Sequence, residues 1–578
     1  MKKNVFFLLL MMLVVFQQAN AQFVKNKTKK TPQNWQNLSF EKDSIYGAEV
    51  DKAYNFLKGK TPQKKVIVAL IGTGVDIEHE DLVNSIWTNP KEKQDNKDND
   101  KDGYIDDLHG WNFLGNAKGE VLDKISREGD REFMRILKKE PTYVEIQNDG
   151  KNNLIFDTLK QQFHIAKIKN LAEYNYFRYE IVPESPAAGA GVGCYTSFFF
   201  PYYAEMLDKK MKEIYPGKTG DELPPDAFIK AVDKYYPDSL YKVAVNMINF
   251  TNSFAKYKSW NALKTMMSKA PALNIETYNK KLNKLLYDDR KLVGDNFLNI
   301  KDKKYGNNVL LTENAGMGTM FAGLICGERN NNLGVQGIAS NVQLMVLRVE
   351  ADEVGECYLK DEALAIRYAV DHGADVIQFT KPNTFYPKNQ SVWVDEALQY
   401  AEKKGVLVVM PMDDFSCDMK DIQFYPQQKI SDKKTLTNMI TVAASDINGN
   451  PLVNCNYSKT QLDLFAPGKD LYSAYTGNTY RSATSSRMAA SVVTGVAALI
   501  KVYYPQLNGT QIRKLMMDNV TSRAGAEVEK EYRNYSKGPR KYFRGSKVVK
   551  DIISFDDLCR TNGIVNAYKC VVEADKMK

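Results

Sequence analysis

Apolar positions in this chain fall in continuous runs more often than in alternation. Val66–Ile71 reads VIVALI and stops at Gly-Thr-Gly, which predicts a strand buried on both faces and then a tight turn. Gln343–Val349, Asp375–Phe379, Val406–Met410 and Ile440–Ala444 repeat the pattern. Between them lie stretches of helical period, Asp361–His372 and Val392–Lys404, each followed by a glycine, and a long apolar helix Met488–Val502 that ends before Pro505. Strands alternating with helices predict an α/β fold, a parallel sheet with helices on both faces. A short amphipathic helix is expected near Val50–Leu57, inside a polar, Lys-rich stretch.

From Asn116 to Ile300 the texture changes to Lys, Tyr, Asn and Glu, with helical period around Glu132–Lys139, Leu159–Tyr179 and Lys256–Lys269. The segment is too long for a loop and reads as a mostly helical insertion. Its aromatic run from Cys194 to Tyr203 is expected to pack the insertion's own core, the alternative being a partner-binding patch. The organisation is then a leader at 1–21, an extension at 22–65, a core built from 66–116 and 301–525, the insertion at 117–300, and a C-terminal segment at 526–578 that packs on the core.

Composition narrows the classes. With 578 residues, 43% hydrophobic and 26% charged, the chain is neither disordered nor fibrous. A net charge of +9 spread over 79 basic and 70 acidic residues gives no case for nucleic acid. Met1–Ala21 has Lys2 and Lys3, an apolar run Val5–Phe16, and Ala19-Asn20-Ala21 before Gln22. That is a signal-peptide pattern and predicts export to the periplasm, outer surface or exterior of a bacterium. No later run approaches the length of a membrane span. Seven cysteines do not make a disulfide scaffold, and the odd number leaves at least one outside any intrachain pair.

One loop carries metal-ligand spacing. Asp98, Asp100, Asp102 and Asp106 stand at positions 1, 3, 5 and 9, with Gly103 at 6 and the Tyr104 carbonyl available at 7. Hard oxygen donors so spaced wrap Ca²⁺, here in a structural role. His109 replaces the usual Glu at position 12, so a further ligand must come from elsewhere, with Asp107 and Asp95 as candidates.

Six motifs in order carry a resemblance. They are VIVALIGTGVD (Val66–Asp76), MGTMFAG (Met317–Gly323) with GVQGIA (Gly334–Ala339), Ala374–Pro382, Gly405–Asp414, FAPG (Phe465–Gly468), and SSRMAASVVTGVAAL (Ser485–Leu499). In this order they resemble the subtilisin-like serine proteases (peptidase S8), in particular a secreted bacterial subgroup with a long insertion. The resemblance implies the family's α/β fold and a protease ancestry. It also implies where an acid, a base, a nucleophile and an oxyanion donor would stand.

Those positions hold other residues. The Asp position is Gly72, the His position Met317, the Ser position Arg487 and the oxyanion Asn position Asp414. A hydrogen, a thioether, a permanent cation and a carboxylate cannot perform those roles. Thr380-Lys381-Pro382 stands where the family pairs substrate, and Pro382 has no N–H to offer. The sequence therefore reads as an exported pseudoprotease that binds, scaffolds or regulates, with a protein or peptide partner. The alternative is a serine endopeptidase or other hydrolase with a non-standard constellation around Ser485 and Ser486; a structural component of an exported complex is a third reading. Arg487 is expected to bridge to Asp414 across the cleft, with Asp413 as the competing anion.

Overall fold

The computed structural model describes residues 31–577 apart from 140–144, 149–151, 158–161, 168–170, 183–184, 186–198, 236–244, 247–248, 250–251, 253–255, 286–288, 353–354, 421–422 and 534–547. The leader, the Pro/Ala/Gly-rich stretch 186–193 and Tyr195 to Phe198 lie outside these residues.

The continuous apolar runs become the sheet. In chain order the main strands are β1 (Val66–Gly72), β2 (Gly110–Asn112), β3 (Val342–Arg348), β4 (Val376–Phe379), β5 (Leu407–Pro411), β6 (Met439–Ser445) and β7 (Leu464–Pro467). They stand in the order β7-β6-β5-β4-β1-β3-β2 within one nine-stranded sheet, completed beyond β7 by Gly563–Ile564 and Thr521–Ser522. All pair in parallel except the last two, which are antiparallel. Strands β4, β5, β6 and β7 are buried at every residue, as a sheet covered on both faces requires. Two helix pairs pack with it. One joins α1 (Gly316–Cys326) to α4 (Ser486–Tyr503), the other α2 (Leu359–Asp371) to α3 (Lys388–Lys403).

The amphipathic helix Val50–Leu57 forms as expected and buries Val50, Ala53 and Leu57. The C-terminal segment packs on the core: Ile564 pairs with Phe465, and helix Ala567–Lys576 buries Ala567, Cys570, Val571 and Ala574.

The insertion departs in part from its expected helical texture. It holds helices Glu128–Lys139, Phe199–Ile214, Pro225–Tyr235 and Trp260–Leu285. It also holds an antiparallel sheet of Glu145–Asn148, Asn152–Asp157 and Gln162–Lys167. Within the expected helix Leu159–Tyr179, Gln162–Lys167 is therefore a strand. Its QFHIAK pattern alternates, and its partner NNLIFD supplies the cross-strand neighbours that decide β over helix. A separate hydrophobic cluster of Leu207, Phe228, Val232, Trp260, Leu263 and Met267 sits under these helices, with Tyr203 in it and Tyr202 exposed.

Both ends of the insertion land on one short segment of the core. Arg131 donates to the carbonyls of Glu356 and Cys357. Arg290 makes a bidentate pair with Asp361, at 2.7 and 2.8 Å. The two guanidinium groups lie over the ring of Tyr358, at 3.9 and 4.4 Å from its centre.

Candidate functional site at the carboxyl ends of the strands

From β1 the sheet grows one way to β3 and β2 and the other way through β4, β5, β6 and β7. The crevice outside the carboxyl ends at such a switch point is where open α/β sheets place their sites. The triad-equivalent and oxyanion-equivalent residues collect around this end. Gly72 closes β1, Asp413 and Asp414 follow β5, Arg487 lies in the first turn of α4, and Met317 lies in the first turn of α1. Met317 is half-buried against the main core.

Gly72 is held to a bare hydrogen by its neighbour. A Cβ there would lie 2.3 Å from Thr380 Cγ2 and 2.6 Å from Thr380 Oγ1. Thr380 is fixed in place because its hydroxyl donates to Glu350 Oε1 at 2.8 Å and its N–H to the Ile71 carbonyl at 3.1 Å. The Gly72 carbonyl in turn accepts from the N–H groups of Val349 and Glu350.

The expected Arg487–Asp414 bridge is corrected. Arg487 Nε donates to Asp413 Oδ1 at 2.9 Å and Nη2 to Asp413 Oδ2 at 3.4 Å. Asp414 is claimed by the start of α4. Its Oδ2 accepts from the Ser486 N–H at 2.9 Å and its Oδ1 from the Ser486 hydroxyl at 2.6 Å. A helix N-terminus carries unsatisfied donors and a positive dipole end, so it attracts the carboxylate and leaves the guanidinium to the preceding residue. Burial pushes the Asp414 carboxyl above its usual range, and the Ser486 donors and Arg487 pull it back.

Ser486 is spoken for in the same way. It is fully buried, its hydroxyl proton points to Asp414, and its oxygen accepts from the Ala444 N–H at 3.1 Å. Among the described residues no histidine bonds to it. The His79 ring lies between the Thr479 carbonyl and the Asp81 N–H, and His109 bonds the Trp87 carbonyl. His164 lies on the insertion strand Gln162–Lys167.

The acidic loop is rearranged relative to its spacing. Asp98 accepts from the N–H groups of Asp102 and Gly103, and Asp102 from that of Tyr104. Asp106 turns away, its carboxylate taking the N–H groups of Asp95 and Asn96. It is not among the acids that cluster in this structure. The Tyr104 ring is buried against Trp111, Phe113 and Tyr368. Glu92 takes the place of Asp106: carboxylate oxygens of Glu92, Asp98 and Asp100 lie within 4.8 Å of one another, as do ligand atoms of Asp100, Asp102 and His372. Glu92 is buried and its Oε2 has no hydrogen-bond partner. A buried carboxylate oxygen facing two further carboxylates fits a hard cation. Glu92 and His372 come from outside the loop, and nothing in the loop's spacing could have named them. Glu350 was missed as well, although a charge set right at the end of an apolar strand is a signal for it.

Comparison with known proteins adds the lineage. A model described as the subtilase family matches residues 63–534. A thermostable alkaline protease of Halalkalibacterium halodurans is 30% identical over 209 residues, 36% of this chain and 53% of that protein. Subtilisin BL of Lederbergia lenta is 30% identical over 207 residues, 36% of this chain and 71% of that protein. The chain thus spans about half the length of the first relative. Among solved structures, the prenylagaramide maturation protease PagA aligns with a TM-score of 0.34 and 20% identity, over 44% of this chain and 81% of that one.

Proposed function

The chain belongs to the subtilase family, and from that premise we propose that it is a pseudoprotease, an exported binding, scaffolding or regulatory protein on a protease fold. The observation that carries this reading is the set Gly72, Met317, Arg487 and Asp414, with the neighbouring Ser486 hydroxyl buried between Asp414 and Ala444. Acyl transfer needs an exposed nucleophile, a base within reach and donors aimed at a developing oxyanion. Here the donors at the start of α4 are turned onto the protein's own carboxylate. Its partner is a protein or peptide, and the leader at 1–21 directs it out of the cytoplasm.

A serine-directed fluorophosphonate probe and unfolded casein test the reading. The purified protein should take no label and leave casein intact. Labelling that disappears in Ser486→Ala would replace this reading with that of a hydrolase.

The acidic loop supports a structural Ca²⁺ held by Glu92, Asp98 and Asp100, whose carboxylate oxygens converge. The ion would neutralise converging carboxylates and tie the segment after β1 to the body. Chelation should lower the melting temperature and added calcium restore it. A melting curve indifferent to both leaves a plain acidic loop.

A further inference from the structure

The crevice between β1 and β4 is filled by the chain itself. Lys381, just beyond β4, reaches over the end of β1 to the segment that follows β3. Its Nζ donates to the Asp352 carbonyl at 3.0 Å and the Gly355 carbonyl at 2.5 Å, with Glu350 Oε2 at 3.9 Å. The Lys381 side chain is 5% exposed and that of Glu350 is 6%. Thr380 fills the layer beneath, over Gly72.

Two carbonyls in hydrogen-bond range and a carboxylate 3.9 Å away surround one nitrogen, a setting that suits the compact charge and rotatable donors of an ammonium group. A guanidinium would present a planar fork and seek two parallel acceptors instead, as Arg487 does with Asp413. Gly355 and the two residues after it are held from behind. Ile125 lies against Gly355, where an added Cβ would meet its side chain at 2.4 Å, and Arg131 holds the next two carbonyls. Burial pushes the Glu350 carboxyl upward, and Lys381 and Arg487 offset it; without a cation the crevice would hold an uncompensated buried carboxylate.

We propose that this crevice is a receptor for a primary ammonium group, the head of a lysine side chain on a partner protein, and that Lys381 is its built-in occupant. The proposal rests on the binding role argued above. A tethered occupant competes at high effective concentration, so an incoming lysine must displace Lys381 with the help of further contacts around the rim. The unliganded protein is accordingly closed to free amines.

The test removes the occupant and supplies the group. In folded Lys381→Ala, n-propylammonium should raise the melting temperature saturably by about 2 °C or more. Tetramethylammonium, which has the charge without the N–H donors, should not, and wild type should respond to neither. No rise in the variant, an equal rise in wild type, or an equal rise with tetramethylammonium overturns the proposal. Should Lys381→Ala not be recovered folded, acylation of wild type by a succinimidyl ester decides. Lys381 should react at least about tenfold more slowly than the exposed Lys433, with Glu350→Gln raising its rate. Equal rates in wild type, or no change with Glu350→Gln, overturn it. Neither readout involves serine chemistry, so a failure here is separable from a failure of the pseudoprotease reading.

Discussion

Restoring the family's residues one at a time should harm this protein before it helps it. Thr380 occupies the space into which a side chain at position 72 would grow. Gly72→Asp is therefore expected to destabilise by about 1–3 kcal/mol through overpacking, read as a fall in the urea midpoint. Thr380→Gly should recover much of that loss in the double variant, a coupling that independent sites would not show. The pair that faces the crevice obeys the same logic. Asp413→Ala leaves the partly buried Arg487 without its bidentate partner and should cost about 1–3 kcal/mol. Asp413→Ala with Arg487→Met should cost less than the single change, since it removes the guanidinium together with the carboxylate that compensates it. Identity at these positions could be read from the sequence, because six motifs fix the register. The choice between Asp413 and Asp414 could not. It depends on which carboxylate the helix start captures, a matter of side-chain direction that neighbouring residues in one chain do not reveal.

Helix α2 begins beside the crevice with a carboxyl that no cation among the described residues bonds. Glu362 accepts from the Tyr386 hydroxyl, the Cys357 thiol and the Asn383 amide. Burial, with Glu350 and Glu128 nearby, pushes it up to about 7. Because its folded value lies above the unfolded one near 4.5, its contribution to stability is complete below about pH 4.5 and is lost as pH rises through 7. Glu362→Gln keeps the shape and removes the charge. It should melt close to wild type at pH 4.5 and be the more stable protein at pH 8, by up to about 3 kcal/mol. If the two proteins' melting curves move in parallel from pH 4.5 to 8, Glu362 is not the group responsible. Elements of this kind were partly legible. Continuous apolar runs located β1 and β3 through β6 within a residue or two, because strands buried on both faces leave little room for another reading. The strand Gln162–Lys167 was missed because its alternation spans only six residues and sits inside a longer stretch, Leu159–Tyr179, that reads at helical period.

At the scale of the whole molecule, the fold was legible and the clustering of acids around the Asp98–Asp107 loop only in part. Local spacing reports the residues of one loop. Glu92 precedes the motif and His372 stands at the end of α2, joined to Asp100 and Asp102 only by the fold. The insertion has a different lesson. Its two ends are pinned by Arg131 and Arg290 above one tyrosine ring, each within 5 Å of its centre. Between them, helices Phe199–Ile214, Pro225–Tyr235 and Trp260–Leu285 share their own cluster around Trp260 and Phe228, while Tyr176 and Glu180 touch Lys388 of the core. Such a module behaves like a cartridge. Replacing residues 133–288 with a short Gly/Ser linker should leave a core that still melts cooperatively, since linker length weighs little once the ends are near. Loss of the cooperative transition would mean that the insertion is part of the core's own stability. If the transition survives, the same seat becomes a socket into which an unrelated domain can be fitted.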